Sequence, residues 1–278
     1  MSAPRIVDRE RYLERIAEVR AGTSARQVAY PIKVREIEVI RTAMVGSGLV
    51  RLTFGGAGTA GFEAHSPDEH VRLIFPEPDG TLRLPAPNGS MLSWPKPFPT
   101  TRKYTVRRYD AATGELDLDF ALHGEGIASD WARTAEPGMT VHIAGPPGGL
   151  IVPHTYDRYL LGGDLTALPA IARRLEELPR SAAGWSFIEV ADASEQIELA
   201  APENFEVRWL RPGELARAVQ EVEIHDGERV FVWLAGEAGA LKPLRRWVRD
   251  DLKLAADDYD ITGYWRRGAA DHDDDHDH

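Results

Sequence analysis

The sequence predicts two dissimilar folded parts in tandem, an antiparallel β-barrel followed by a parallel α/β sheet. Three observations carry this. From Pro31 to Ala144, short alternating apolar runs are separated by turns rich in Gly, Pro and Asp, the pattern of antiparallel strands. Gly145-Pro146-Pro147-Gly148-Gly149 then interrupts the chain as a rigid turn. Beyond it, strand-like and helix-like segments alternate, which specifies β-α-β units.

The elements follow in order. Val7 to Gly22 carries Tyr12, Leu13, Ile16 and Val19 at helical spacing, with Gly22 as a stop, and reads as a short helix packed against the body. Val34 to Ile40, Leu49 to Phe54 and His70 to Phe75 read as strands. Arg83 to Thr101, with Trp94, Pro95, Pro97 and Pro99, is too proline-rich for a central strand and reads as a loop able to cover a ligand's edge. Arg102 to Asp110, Leu116 to His123 and Thr140 to Ala144 complete about six short antiparallel strands, enough for a small closed barrel. After the turn, Tyr159 to Gly163, Trp185 to Val190, Phe205 to Leu210 and Arg229 to Ala235 read as strands. Asp164 to Leu178, Glu214 to Glu221 and Gly239 to Leu254 read as helices. That order predicts a Rossmann-like parallel sheet with a ligand at the C-terminal strand ends. The expected domains are 1–30 as a helical extension, 31–150 as the barrel, 151–268 as the α/β part and 269–278 as a disordered tail.

Composition narrows the function. The chain has 278 residues, 43% hydrophobic and 28% charged, which is globular. Its net charge of −11 argues against a nucleic-acid partner. Asp271, Asp273, Asp274, Asp275 and Asp277 concentrate negative charge in the tail, so the body is only mildly acidic and has room for a basic site. With no cysteine, disulfides, thiolate metal sites and cysteine-held iron–sulfur clusters are excluded. No apolar run approaches the ~18 residues of a membrane span. The N-terminal stretch, with Asp8, Glu10, Glu14 and Glu18, lacks a signal peptide's apolar centre, so the cytoplasm is the expected compartment. The Asp/His tail reads as solvated, and no metal site is expected.

The most informative stretch is Arg102-Lys103-Tyr104-Thr105-Val106-Arg107-Arg108-Tyr109-Asp110. A strict two-residue period puts Tyr104, Val106 and Arg108 on one face and Thr105, Arg107 and Tyr109 on the other. An aromatic ring can stack on a flat ligand, a guanidinium two residues earlier can fork onto a phosphate, and the hydroxyl beside the ring can reach a heterocycle nitrogen. Together they suit a flavin nucleotide. His123-Gly124-Glu125-Gly126-Ile127-Ala128-Ser129-Asp130-Trp131-Ala132 follows a strand and opens a helix, so its free amides are placed for a pyrophosphate. Gly162-Gly163-Asp164-Leu165-Thr166-Ala167-Leu168-Pro169-Ala170 and Trp233-Leu234-Ala235-Gly236-Glu237 sit at strand ends. Neither is the plain dinucleotide fingerprint. Ile261-Thr262-Gly263-Tyr264-Trp265-Arg266-Arg267-Gly268 closes the folded part.

Taken in this order, these motifs resemble ferredoxin–NADP reductase-like flavoproteins, and within them the siderophore-interacting protein branch, the ferric-siderophore reductases. The resemblance spans roughly Pro31 to Gly268. This chain departs from the family pattern at Ile127, where Pro is usual, at Leu165, where Glu is common, and at Trp209-Leu210-Arg211, which lacks the usual His. The resemblance implies an FAD-binding barrel, an NAD(P)H-binding-like domain, and reduction of a ferric siderophore to release ferrous iron in the cytoplasm. It implies that Arg102, His123, Gly124, Ala128 and Ser129 surround the pyrophosphate, with Arg107 also at the cofactor. Tyr104 would lie along the flavin, and Thr105 would reach its central nitrogen edge. Asp164, Thr166, Ala167 and Glu237 would lie at an interdomain cleft, and Tyr264 and Trp265 would cover the flavin's rear face. Electron transfer through FAD needs no certain catalytic side chain. Lys33, Arg72 and Arg266 are the candidate cations for the chelate. NADH, NADPH and reduced ferredoxin are all open as donors, and Glu189 after the second α/β strand disfavours a 2′-phosphate. Two rival readings are a flavin oxidoreductase serving a protein or free flavin, and a siderophore-binding protein without redox chemistry.

Overall fold

The computed structural model describes residues 9–122 and 126–269. His123, Gly124 and the Asp/His tail lie outside the described residues. The chain forms two compact units. Among the described residues, one comprises 9–19, 26–44, 50–122 and 126–151, and the other comprises 20–25, 45–49 and 152–269.

The first unit holds α1 (Arg9–Ala21), β1 (Arg26–Ala29), β2 (Val34–Val45), β3 (Leu49–Gly55), β4 (His70–Ile74), β5 (Ala86–Asn88), β6 (Met91–Ser93), β7 (Thr101–Asp110), β8 (Glu115–Ala121), α2 (Ile127–Thr134), β9 (Thr140–Ala144) and β10 (Gly148–Ile151). Six of these close into the barrel β2-β3-β8-β7-β4-β9. Alternate residues point inward, so Val71 and Leu73 of β4, Val106 of β7 and Leu116, Leu118 and Phe120 of β8 fill one apolar core. The helix α1 docks Tyr12, Ile16 and Val19 onto Val28, Tyr30 and Ile151, as its spacing predicts.

Three local expectations are corrected. Gly148 and Gly149 are not only a turn: they belong to β10, which pairs antiparallel with β1, Gly148 opposite Ala29. The proline-rich loop contains a small hairpin, β5 with β6. In β7 a bulge between Val106 and Arg108 breaks the two-residue period. Tyr109 therefore comes opposite Leu116 and packs on the barrel core with Tyr104, while Arg108 turns outward opposite Asp117.

The second unit holds β11 (Arg158–Asp164), α3 (Leu168–Glu177), β12 (Ala183–Glu189), β13 (Asn204–Leu210), α4 (Leu215–Gln220), β14 (Val230–Glu237), α5 (Ala238–Arg246) and β15 (Tyr259–Trp265). The sheet order is β13-β12-β11-β14-β15, and every neighbour pair is parallel. Leu160, Phe187, Val232 and Leu234 face Leu215, Val219, Leu241 and Leu244 of α4 and α5. On the other face Arg174 of α3 lies over Phe231 and Trp233. The predicted helix from Asp164 starts only at Leu168, because Asp164 ends the strand and its carboxylate organises the turn. The last predicted helix stops at Arg246 and passes into a wider turn, Trp247–Asp251. Strand order reverses between β11 and β14, and that point in a parallel sheet opens a crevice at the C-terminal strand ends.

Candidate functional site

On β7 the register against β4 sorts the predicted residues. Thr105 is opposite His70 and Lys103 opposite Arg72, whereas Tyr104 is opposite Val71 and Arg102 opposite Leu73. Val71 and Leu73 are core residues, so Arg102 and Tyr104 lie on their side and Lys103 and Thr105 on the outer one. The Tyr104 ring packs 4.2 Å from that of Phe120, and Phe120 in turn meets Trp131 of α2 at 6.0 Å. Burial pushes the Tyr104 phenol up to about 12, with Arg102 opposing, so the ring is neutral at physiological pH. One Arg102 nitrogen donates to the Thr101 carbonyl at 2.7 Å. Thr105 is buried.

Arg107 of β7 lies beside a buried carboxylate. Its Nε lies 4.0 Å from Asp119 Oδ2. Arg51 of β3 holds the same carboxylate through both oxygens, at 2.7 and 2.8 Å. Asp117 is paired similarly, accepting from Thr53 at 2.7 Å and Arg108 at 2.9 Å. These buried carboxylates on the outer face of β8 are interactions that alternation alone did not disclose.

The helix α2 begins after Gly126, and its first turn carries Ile127, Ala128 and Ser129. Trp131 anchors it, stacked at 5° on Phe54, edge-on to Phe75 and tilted against Phe120. Ser129 is buried, and its hydroxyl has no hydrogen-bond partner among the described residues. An unpaired buried hydroxyl beside first-turn amides is a preformed place for an anionic oxygen. The residues present therefore fit a pyrophosphate-bearing cofactor.

In the second unit Asp164 is a hub. Its Oδ1 accepts from the Thr166 amide at 2.9 Å and hydroxyl at 2.5 Å. Its Oδ2 accepts from the Glu237 amide at 2.9 Å and the Trp265 indole at 2.7 Å. This ties the ends of β11, β14 and β15 together around the switch point. Glycines permit the approach: a Cβ on Gly236 (φ +142°) would lie 2.7 Å from Asp164 Oδ2, and one on Gly163 would lie 2.2 Å from the Ala235 carbonyl. Glu237 caps α5, accepting from the Ala240 amide at 2.7 Å, and also accepts from Arg267 at 3.1 Å. Ala167 is wholly buried. Tyr264 meets Trp233 edge-on at 6.4 Å. Glu189 proves to be a cap: it accepts from the Leu215 amide at 2.7 Å, and burial pushes its carboxyl above the usual range.

Of the candidate chelate cations, Lys33 and Arg266 are exposed and Arg72 is half-buried on the outer face of β4. Arg72 donates to the Thr101 hydroxyl at 2.9 Å and lies 5.9 and 5.7 Å from the ring centroids of Trp94 and Phe98.

Residues 38–150, most of the barrel, match the profile of the siderophore-interacting FAD-binding domain, and residues 156–268 match that of the siderophore-interacting protein. The chain belongs to the siderophore-interacting protein family. Within that family it is 33% identical over 243 residues to the ferric vibriobactin reductase of Vibrio cholerae, covering 84% of this chain and 90% of that protein. It is 32% identical over 250 residues to the NADPH-dependent ferric-chelate reductase of Escherichia coli, covering 86% and 96%. The crystal structure of a siderophore utilization protein from T. fusca superposes with a TM-score of 0.84 at 40% identity, over 90% of this chain and 98% of that one. The barrel-plus-parallel-sheet fold and the FAD-type barrel expected from the motifs are those of the siderophore-interacting family.

Proposed function

We propose that this chain is an FAD-dependent reductase of ferric siderophores, drawing electrons from NADPH or NADH and delivering them to chelated iron. Two relatives carry the names ferric vibriobactin reductase and NADPH-dependent ferric-chelate reductase, and they support this reading. Bound FAD supplies the exchange between a two-electron donor and a one-electron acceptor.

The chain's own residues do the placing. The first-turn amides of α2 and the Ser129 hydroxyl receive the pyrophosphate, and Arg102 adds positive charge from β7. The Tyr104 ring, neutral and braced by Phe120, lies along the flavin. Thr105 offers its hydroxyl to the ring's nitrogen edge. The strand ends clipped by Asp164 and Glu237 shape the place for the nicotinamide nucleotide, and reduced ferredoxin is the other candidate donor. Lys33, Arg72 and Arg266 supply the charge that attracts an anionic chelate. The iron is substrate and needs no protein ligand. Among the described residues no cluster of His, Asp and Glu could hold a metal. Reduction in the cytoplasm would release ferrous iron where it is used.

The observation that carries the reading is the Ser129 hydroxyl. Left unpaired in a buried site it costs ~1–3 kcal/mol, and a phosphate oxygen removes that cost through a charge-assisted bond. Ser129→Ala should therefore leave the apoprotein as stable or more stable, yet weaken FAD binding roughly tenfold or more. Calorimetric titration of the apoprotein with FAD checks this. Anaerobic mixing of the reduced holoprotein with ferric chelate should restore the oxidised flavin band. A protein with no affinity for FAD would sink the proposal.

A further inference from the structure

The outer face of the barrel carries a cation–aromatic platform. Trp94 and Phe98 lie 4.8 Å apart with their rings tilted by 36°. The Arg72 guanidinium sits against both, 5.9 and 5.7 Å from their centroids, and is pinned from below by the buried Thr101 hydroxyl at 2.9 Å. Lys103 is directly opposite Arg72 on the neighbouring strand and is exposed. Residues opposite one another share a face, so two cations project beside two rings. Phe98 is 50% exposed, a large apolar area for a barrel surface in a chain of net charge −11. The row also has a defined place. Arg72 and Lys103 are one same-face step from His70 and Thr105, about 7 Å along the strand.

We propose that Arg72, Lys103, Trp94 and Phe98 form the docking face for the ferric chelate, and that it selects chelates whose iron is held by aryl oxygens. This rests on the reductase reading and adds the substrate class. A ferric tris-catecholate presents flat aromatic rings and a net negative charge. The rings match Trp94 and Phe98 in offset or edge-to-face contact, and the charge matches Arg72 and Lys103. A ferric tris-hydroxamate is neutral and offers no ring, so it meets the same face with neither interaction.

The test separates binding from reduction by using gallium(III) complexes, which are redox-inert and share the charge and shape of the ferric ones. Gallium tris-catecholate and gallium tris(acetohydroxamate) are titrated into the FAD-loaded protein, read by quenching of tryptophan fluorescence. The catecholate should bind more tightly, with an affinity that falls as salt rises. Phe98→Ala should weaken catecholate binding about tenfold and leave hydroxamate binding within about twofold. Lys103→Gln, a change at an exposed position, should weaken catecholate binding several-fold and flatten its salt dependence. Both variants should retain FAD, shown by the bound flavin band. Equal affinity for the two complexes, or equal losses in Phe98→Ala, overturns the inference. So does loss of FAD from Phe98→Ala, which would assign the platform to the cofactor. Failure of the wild-type holoprotein to reduce ferric chelates sinks the reductase reading instead, and leaves the gallium result to stand or fall by itself.

Discussion

Acidification should destabilise the barrel through one imidazole. His70 lies on the outer face of β4 opposite Thr105. Burial first, then Lys103 and Arg72, bring its pKa from 6.5 down to about 4, with Asp68 opposing them. The folded protein therefore holds this proton less tightly than the unfolded chain does. Between pH 6.5 and 4 the unfolded state binds more protons, so stability is full above that window and falls as the pH drops through it. A shift of this size corresponds to about 3 kcal/mol below both values. At pH 4.5 most of the loss, about 2.5 kcal/mol, should already have occurred. Two measurements check this. The ring-proton NMR titration of His70 should have its midpoint near 4 rather than 6.5. Urea unfolding at pH 7 and pH 4.5, compared with His70→Gln, should show the variant sparing about 2.5 kcal/mol of the acid loss. Carboxylates titrate in the same range, so the difference between the two proteins carries the test. A midpoint above 6, or parallel losses in both proteins, refutes the reasoning.

Three further outcomes follow from particular contacts. Asp119→Ala removes the carboxylate that Arg51 holds through two hydrogen bonds and Arg107 approaches, and should cost about 2–3 kcal/mol through those lost charge-assisted bonds, measured by denaturant unfolding. Asp164→Ala releases the Thr166, Glu237 and Trp265 donors together. It should cost about 3 kcal/mol and shift the Trp265 emission to longer wavelength as the indole gains water. Gly163→Ala places a methyl 2.2 Å from the Ala235 carbonyl, which forces β11 and β14 apart. A loss of about 2–3 kcal/mol, with faster amide exchange along β14, is the expected result.

How far the sequence disclosed this structure depends on whether local rules decided the outcome. Leu116, Leu118 and Phe120 were legible as an inward face because each reaches the core on its own strand's period. Asp117 and Asp119 were legible only as outward, and outward usually means wet. They are buried because Arg51, Thr53 and Arg108 arrive from neighbouring strands, which no single-strand pattern records. The bulge after Val106 was invisible for a similar reason: the partner strand sets it, and its consequence is that Arg108 and Tyr109 exchange faces. The β1–β10 ribbon joins segments far apart in sequence. The order of motifs, by contrast, located β7, the start of α2 and the ends of β11 and β14. Glycine, aromatic and charged residues there answer to backbone geometry rather than to distant packing.

Asp164 and Glu237 show how much of a motif's side-chain capacity the fold itself takes up. Both stand at the switch point where a ligand is expected, and both look like ligand contacts in the sequence. A carboxylate has about four lone-pair directions. Asp164 fills them from within, with the Thr166 amide and hydroxyl, the Glu237 amide and the Trp265 indole. Glu237 spends its oxygens on Ala240 and Arg267. Asp164 has no acceptor capacity left for a ribose hydroxyl, and neither carboxylate would welcome a phosphate. Much of what the switch point presents is therefore backbone, exposed by the glycines that let these strand ends come close. The acids hold that backbone in shape. On this reasoning Asp164→Asn, which keeps the size but loses charge and two acceptor directions, should weaken the clip without a large direct effect on donor affinity. A loss of donor binding out of proportion to the loss of stability would return the carboxylate to the ligand's first contacts.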